Sequence, residues 1–131
     1  MVHYYLAYGY IQIGMYDKAF KEIQLVLENT GRKNAGLLSA LAIIQAYRGE
    51  TKEVERVIEE LLELEKEKYL SSFWLSMLYF VLGRNDEGFE RMDMGYNAHD
   101  TLMIFLRADP LFDSIRSDPR YKEMIRKLNL E

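Results

Sequence analysis

Gly14, Gly49 and Gly83 stand 35 and 34 residues apart, and the residues around them fall into common columns. A fixed period of this length decides architecture before any motif does, because each period is one supersecondary unit that buries its apolar face against its neighbours. Aligning YIQIGMYDKAFKEIQLVL, QAYRGETKEVERVIEELL and YFVLGRNDEGFERMDMGY places a leucine eight residues before each glycine (Leu6, Leu41, Leu75) and a small residue seven before it (Ala7, Ala42, Ser76). Five residues after the glycine the column reads Ala19, Val54 and Gly88, and nine after it Ile23, Ile58 and Met92. The large–small pair allows close helix packing, and the two later columns face back onto the preceding helix. The glycine supplies the left-handed backbone at which a helix ends without a side-chain clash.

The repeating unit reads as helical. The only two prolines are Pro110 and Pro119, so residues 1–109 carry no obligatory helix breaker, and their apolar residues recur at intervals of three and four. Val54, Val57, Ile58, Leu61, Leu62 and Leu64 alternate with Glu53, Glu55, Arg56, Glu59, Glu60 and Glu63, which predicts an amphipathic helix with one charged face.

These columns resemble the tetratricopeptide repeat family, whose hairpin carries a large–small pair and a tyrosine in its first helix, a glycine turn, and an alanine and an apolar residue in its second. Tyr10 and Tyr79 match the tyrosine, whereas Gln45 departs from it. The family's tryptophan column, eleven before the glycine, reads His3, Leu38 and Ser72, and no proline separates the repeats. The resemblance covers about residues 1–99. It implies an all-α fold, a right-handed superhelix of three antiparallel helical hairpins (about 1–31, 33–66 and 68–98), with a C-terminal helical cap over 100–131.

The tail holds two Asp-Pro steps, Asp109-Pro110 and Asp118-Pro119, each suited to an N-cap followed by a first helical residue, and two short helices are expected there. It is similar to the segment that closes tetratricopeptide regions in bacterial and archaeal signalling and regulatory proteins, which implies a module of such a protein. A terminal unit of a solenoid covers the apolar face that the last repeat leaves open. Leu102, Ile104, Phe105, Leu106, Leu111, Phe112, Ile115, Tyr121, Met124, Ile125 and Leu128 are the expected covering residues. The chain starts only a few residues before Tyr4, with no N-terminal cap, as in an excised domain, a self-associating edge or a bare end.

The titratable residues point away from an enzyme. Glu59, Glu60, Glu63, Glu65 and Glu67 run along one helix among lysines and arginines, the pattern of a solvated face and not of converging acid–base groups. His3 and His99 each lack a second ligand at a metal-binding interval, and cysteine is absent, so no metal site is expected. His99-Asp100 reads as a turn or helix start. The eight glycines form no phosphate-cradling loop, and no cofactor is expected. A formal net charge of −4 disfavours nucleic acid as partner. No run approaches the roughly 18 apolar residues of a membrane span. MVHYYLAYGYIQIG lacks the basic opening and cleavage site of a signal peptide, leaving the cytoplasm as the expected compartment.

In the superhelix that the resemblance implies, first helices face inward, with side chains two, three, six and ten residues before the glycine on the concave face. These are Gln12, Ile11, Tyr8 and Tyr4; Tyr47, Ala46, Ile43 and Ser39; Val81, Phe80, Met77 and Phe73. None is a lysine, arginine or asparagine of the kind that clamps an acidic tail. Tyr4, Tyr8, Ile11, Ile43, Tyr47, Phe73, Met77 and Phe80 are therefore the expected partner-binding residues of a protein–protein interaction scaffold. Its occupant is open among an apolar helix or peptide of another protein, a second copy forming a homodimer, and the chain's own tail. The alternative function is a small-molecule sensor or carrier with an apolar cavity.

Overall fold

A computed structural model describes residues 14–31, 34–107 and 110–130, without the side chains of residues 30, 104, 105, 110 and 111. The described residues form only helices and turns: α1 (Tyr16–Thr30), α2 (Ala35–Tyr47), α3 (Thr51–Glu65), α4 (Ser72–Val81), α5 (Asn85–Asn97), two 3-10 turns (Thr101–Leu106 and Pro110–Ile115), and α6 (Pro119–Lys127). The protein is thus all-α. The chain divides into two compact units, residues 1–70 and 71–131, so the third hairpin belongs with the tail. No described helix is long and apolar enough to cross a membrane.

In the first unit α2 packs between α1 and α3. Helix α2 opens on Asn34, whose side chain accepts a hydrogen bond from the Leu37 N–H at 3.0 Å, filling one of the donors a helix start leaves unmatched. Its nine residues Leu37–Gln45 are all buried, as an apolar sequence without a polar face requires. Helix α3 is the expected amphipathic one: Val54, Val57, Ile58, Leu61 and Leu64 are buried, while Arg56 pairs with Glu53 and Lys66 with Glu63 in solvent. Such exposed pairs contribute little to stability.

In the second unit α4 opens on Ser71, which accepts from the Phe73 N–H at 3.2 Å, and packs against α5 and the second 3-10 turn. The first 3-10 turn packs on α5. Every described member of the four repeat columns is buried: Leu41 and Leu75, Ala42 and Ser76, Ala19, Val54 and Gly88, Ile23, Ile58 and Met92. Leu6 and Ala7 lie outside the described residues.

The two fully described hairpins turn on one geometry. After α2, Gly49 has φ +76°, its N–H donates to the Ala46 carbonyl at 3.0 Å, and the Glu50 N–H reaches back to the Gln45 carbonyl at 2.8 Å. After α4, Gly83 has φ +77°, with the matching bonds to Phe80 at 3.0 Å and from Arg84 to Tyr79 at 2.9 Å. This pair of bonds satisfies the last carbonyls of a helix and reverses the chain. A Cβ added at either glycine would meet no atom within 4 Å, so the positive φ, and not crowding, selects glycine.

The same motif closes α5 and α6 without glycine. His99 (φ +55°) and Asn129 (φ +58°) take the left-handed position, and Asp100 and Leu130 donate the returning bonds to Gly95 and Ile125. Asp100 then accepts from the Leu102 N–H at 3.0 Å, opening the first 3-10 turn, so His99-Asp100 is indeed a stop followed by a start.

Both Asp-Pro steps are followed by a short helix starting at the proline. After the second, Asp118 accepts from the Arg120 N–H at 2.8 Å and Pro119 is the first residue of an α-helix. After the first, Pro110–Ile115 is of 3-10 type, because a helix begun at Pro110 must end before Asp118, whose own following proline disfavours α backbone, and six residues suit 3-10 geometry. Asp109 lies outside the described residues.

Because the glycines are chosen by backbone angle, Gly49→Ala and Gly83→Ala should each lower unfolding free energy by about 1–2 kcal/mol, and His99→Gly should raise it by up to about 1 kcal/mol. Urea denaturation followed by helical circular dichroism measures both signs.

Candidate functional site

Of the eight residues expected to bind a partner, Tyr4, Tyr8 and Ile11 lie outside the described residues. Ile43 is 1 % exposed, within the run of α2 that is buried all round, and is no open surface. Tyr47, at the end of the same helix, is 52 % exposed. Its ring stacks on Tyr16 at the start of α1, with centroids 4.9 Å apart and planes 13° from parallel. Each ring covers one face of the other and leaves the pair at the surface of the first unit, as aromatic rings with a polar hydroxyl tolerate. Tyr16 was not among the expected residues, because the repeat columns mark helix packing and not what stands beside a turn.

In the second unit the expected surface is closed. Phe73, Met77 and Phe80 are 3 %, 1 % and 3 % exposed. Their cover is the chain's own tail: Phe112, fully buried in the second 3-10 turn, lies 5.5 Å from the Phe73 ring and 5.9 Å from the Phe80 ring, centroid to centroid. Phe80 also meets Phe89 of α5 edge to face at 4.9 Å. An open Phe73–Met77–Phe80 face would expose a contiguous apolar patch, and Phe112 removes it from water. The self-filled state is thus the one seen at Phe73 and Phe80.

This cluster explains Gly88. A Cβ there would stand 2.4 Å from Cε1 of Phe80, so the aromatic ring takes the space that Ala19 and Val54 fill at this column in the first unit. Gly95 similarly faces Met103, whose sulfur would lie 2.8 Å from an added Cβ. Met103, 1 % exposed, is a covering residue that sequence reading missed; the only signal for it was a glycine two turns beyond Gly88.

Side chains anchor the rest of the tail. The Tyr121 hydroxyl donates to the Leu106 carbonyl at 3.0 Å and accepts from Arg116 at 2.5 Å, tying the two 3-10 turns to α6. Burial pushes the Tyr121 hydroxyl above its ordinary pKa. The Arg120 guanidinium lies 4.2 Å from the Phe89 ring centroid, bonds Asp86 at 2.8 Å and reaches back to Asp118. Farther along, the Lys127 ammonium lies 5.3 Å from the Tyr96 ring. Arg120 thus meets the first half of α5 and Lys127 its end, so α6 runs alongside α5 in the same direction. Hydrogen bonds from Arg120 hold the Asp118 carboxyl below the usual range, and Arg126 does the same for Glu123. These lowered values mean stability present at neutral pH and lost as acid protonates the carboxylates.

Nothing among the described residues assembles a metal-binding group of three or more histidine or acidic side chains. His99 serves the α5 stop, and of the glutamates of α3, Glu55, Glu59 and Glu63 are exposed while Glu53, Glu60 and Glu65 are half-buried. The sequence matches no protein-family model, and comparison with curated proteins and with solved structures returns no match.

Three substitutions separate the buried cluster of the second unit from the exposed pair of the first. Phe112→Ala should cost about 3–5 kcal/mol and Gly88→Ala about 1–3 kcal/mol, whereas Tyr47→Ala should cost no more than about 1.5 kcal/mol, the scale of one aromatic pair. Denaturant midpoints at constant m-value give the order.

Proposed function

We propose that this chain is a tetratricopeptide-like interaction module whose hairpins stack as a right-handed superhelix and hold an apolar helix or peptide of another protein. The observation that carries the reading is the repeated hairpin itself. Two helix pairs turn at Gly49 and Gly83 with φ within 1° and the same two hydrogen bonds, and the columns around them are buried alike. Stacked helical repeats commonly present an extended binding surface.

In this reading Tyr47, with Tyr16 beside it, is the described part of the partner surface, and Tyr4, Tyr8 and Ile11 extend it. Phe73, Met77 and Phe80 serve instead to seat the tail. The similarity of the tail to segments closing regulatory arrays suits a cytoplasmic signalling or regulatory setting and no catalytic role.

The test is selection of amphipathic helical peptides against the full chain, followed by titration of the selected peptides. Tyr47→Glu should weaken capture at least tenfold while the chain still unfolds cooperatively, its melting temperature lowered by no more than the loss of one aromatic pair accounts for, and the free chain should be a monomer by light scattering. A dimer that Tyr47→Glu converts to monomer makes a second copy the partner. Peptides retained equally by Tyr47→Glu, or none retained at 100-micromolar order, would sink the reading.

A further inference from the structure

The first unit holds a cavity of about 360 Å³ bordered by all three of its helices. Among its lining residues Phe20, Leu27 and Glu28 come from α1, Leu41 and Gln45 from α2, and Glu53 from α3. Leu27 and Leu41 are buried and apolar, while Glu28 is exposed and Glu53 half-buried. The polar exception at depth is Gln45, 8 % exposed, whose side-chain carbonyl oxygen is buried without a hydrogen-bond partner among the described residues. Buried polar atoms left so are few in folded proteins, and each marks a place where a water or a ligand can supply the missing bond.

Position 45 is also where the repeat departs from itself. Tyr10 and Tyr79 occupy this column in the other hairpins. Tyr79 is 6 % exposed in the second unit, its ring capped by the Arg84 guanidinium at 4.9 Å. The second hairpin therefore has a short amide where the third buries a phenol ring, and α2 borders an open cavity at that column.

We propose that this cavity binds a small arylalkylamine: a planar ring with a hydroxyl or ring N–H donor and a short cationic arm. The ring lies against Phe20, Leu27 and Leu41, replacing the missing aromatic side chain. The Gln45 carbonyl oxygen has no surface open to the cavity as it stands. The ring's donor reaches it when the last side-chain torsion, broad for an amide, turns it outward and the amide nitrogen moves towards the site it leaves. The ammonium meets the carboxylates of Glu28 and Glu53; Glu28 makes no ion pair among the described residues, and Glu53 already bonds Arg56 at 2.7 Å and shares its charge. An anion or an aliphatic chain satisfies neither the buried acceptor nor the acidic mouth. This site stands on the cavity alone and is independent of the interaction surface at Tyr47.

The test uses tyramine and phenethylamine, which differ only in the hydroxyl, titrated into the full chain with methyl and amide resonances observed by NMR. Tyramine should shift the Leu27 and Leu41 methyl signals and the Gln45 side-chain amide saturably, and bind about tenfold tighter than phenethylamine. Gln45→Leu should bring that ratio to about one, and Glu28→Gln with Glu53→Gln should weaken both amines about three- to tenfold. Gln45→Tyr should fill the cavity and abolish the shifts; should it fail to fold, Gln45→Leu still decides. The proposal is overturned if tyramine gives no saturable shift, if the two amines bind equally to the unaltered chain, or if the ratio survives in Gln45→Leu. Unmoved methyl signals would leave ordered water alone as the partner of Gln45.

Discussion

A helix can be followed at once by a second helix packed against it only if the chain leaves the first with its final carbonyls satisfied and its direction reversed. Here one left-handed residue does both, and the structure depends on it at four places. The bond from the residue after the turn to the carbonyl five positions earlier recurs at Glu50, Arg84, Asp100 and Leu130, at 2.8–3.0 Å. At Gly49 and Gly83 the reversal is followed by another α-helix within a residue or two, and the buried columns on either side of the turn are thereby brought face to face. At His99 the same stop releases the chain into a 3-10 turn, so the repeat ends without a change in how its helices end.

The columns were legible because they encode contacts within a hairpin, between residues close in sequence, where spacing alone fixes which side chains share a face. Leu41 with Ala42 and Leu75 with Ser76 could be assigned to packing for that reason, and so could Ile58 and Met92. The left-handed stops at His99 and Asn129 were less so, since neither carries the glycine that announces the conformation, although asparagine and histidine enter it more readily than most residues. The short helices after the two Asp-Pro steps were legible as helix starts; that the first is 3-10 was not, because it depends on how soon the second Asp-Pro step follows.

The candidate surface was less legible than the fold, and the reason is the same locality. Position relative to a turn says that Phe73, Met77 and Phe80 share a face; it does not say what returns to cover that face. The answer lies at Phe112, more than thirty residues beyond Met77 in sequence, on a segment whose apolar content had marked it as a cover. Ile43 shows the complementary limit: an apolar helix with no polar side is buried all round, so no position counted from its turn can be singled out as open. Tyr47 escapes because it is the last helical residue, where the helix gives way to the turn and the ring stays half exposed beside Tyr16.

What holds the cover in place follows from its backbone. A 3-10 turn makes fewer and poorer hydrogen bonds than an α-helix of equal length, so Thr101–Leu106 and Pro110–Ile115 draw their position from side chains. Phe112 supplies apolar burial against α4, Met103 does so against Gly95 of α5, and the Tyr121 hydroxyl ties the Leu106 carbonyl to Arg116. Arg120 then fixes where α6 begins along α5 through Asp86 and the Phe89 ring. Glycine at 88 is a condition of this arrangement, since the Phe80 ring that receives Phe112 on one side occupies on another the space a Cβ would take. The departure from alanine at that column, a defect by repeat pattern, is what admits an aromatic cluster and with it the covering tail.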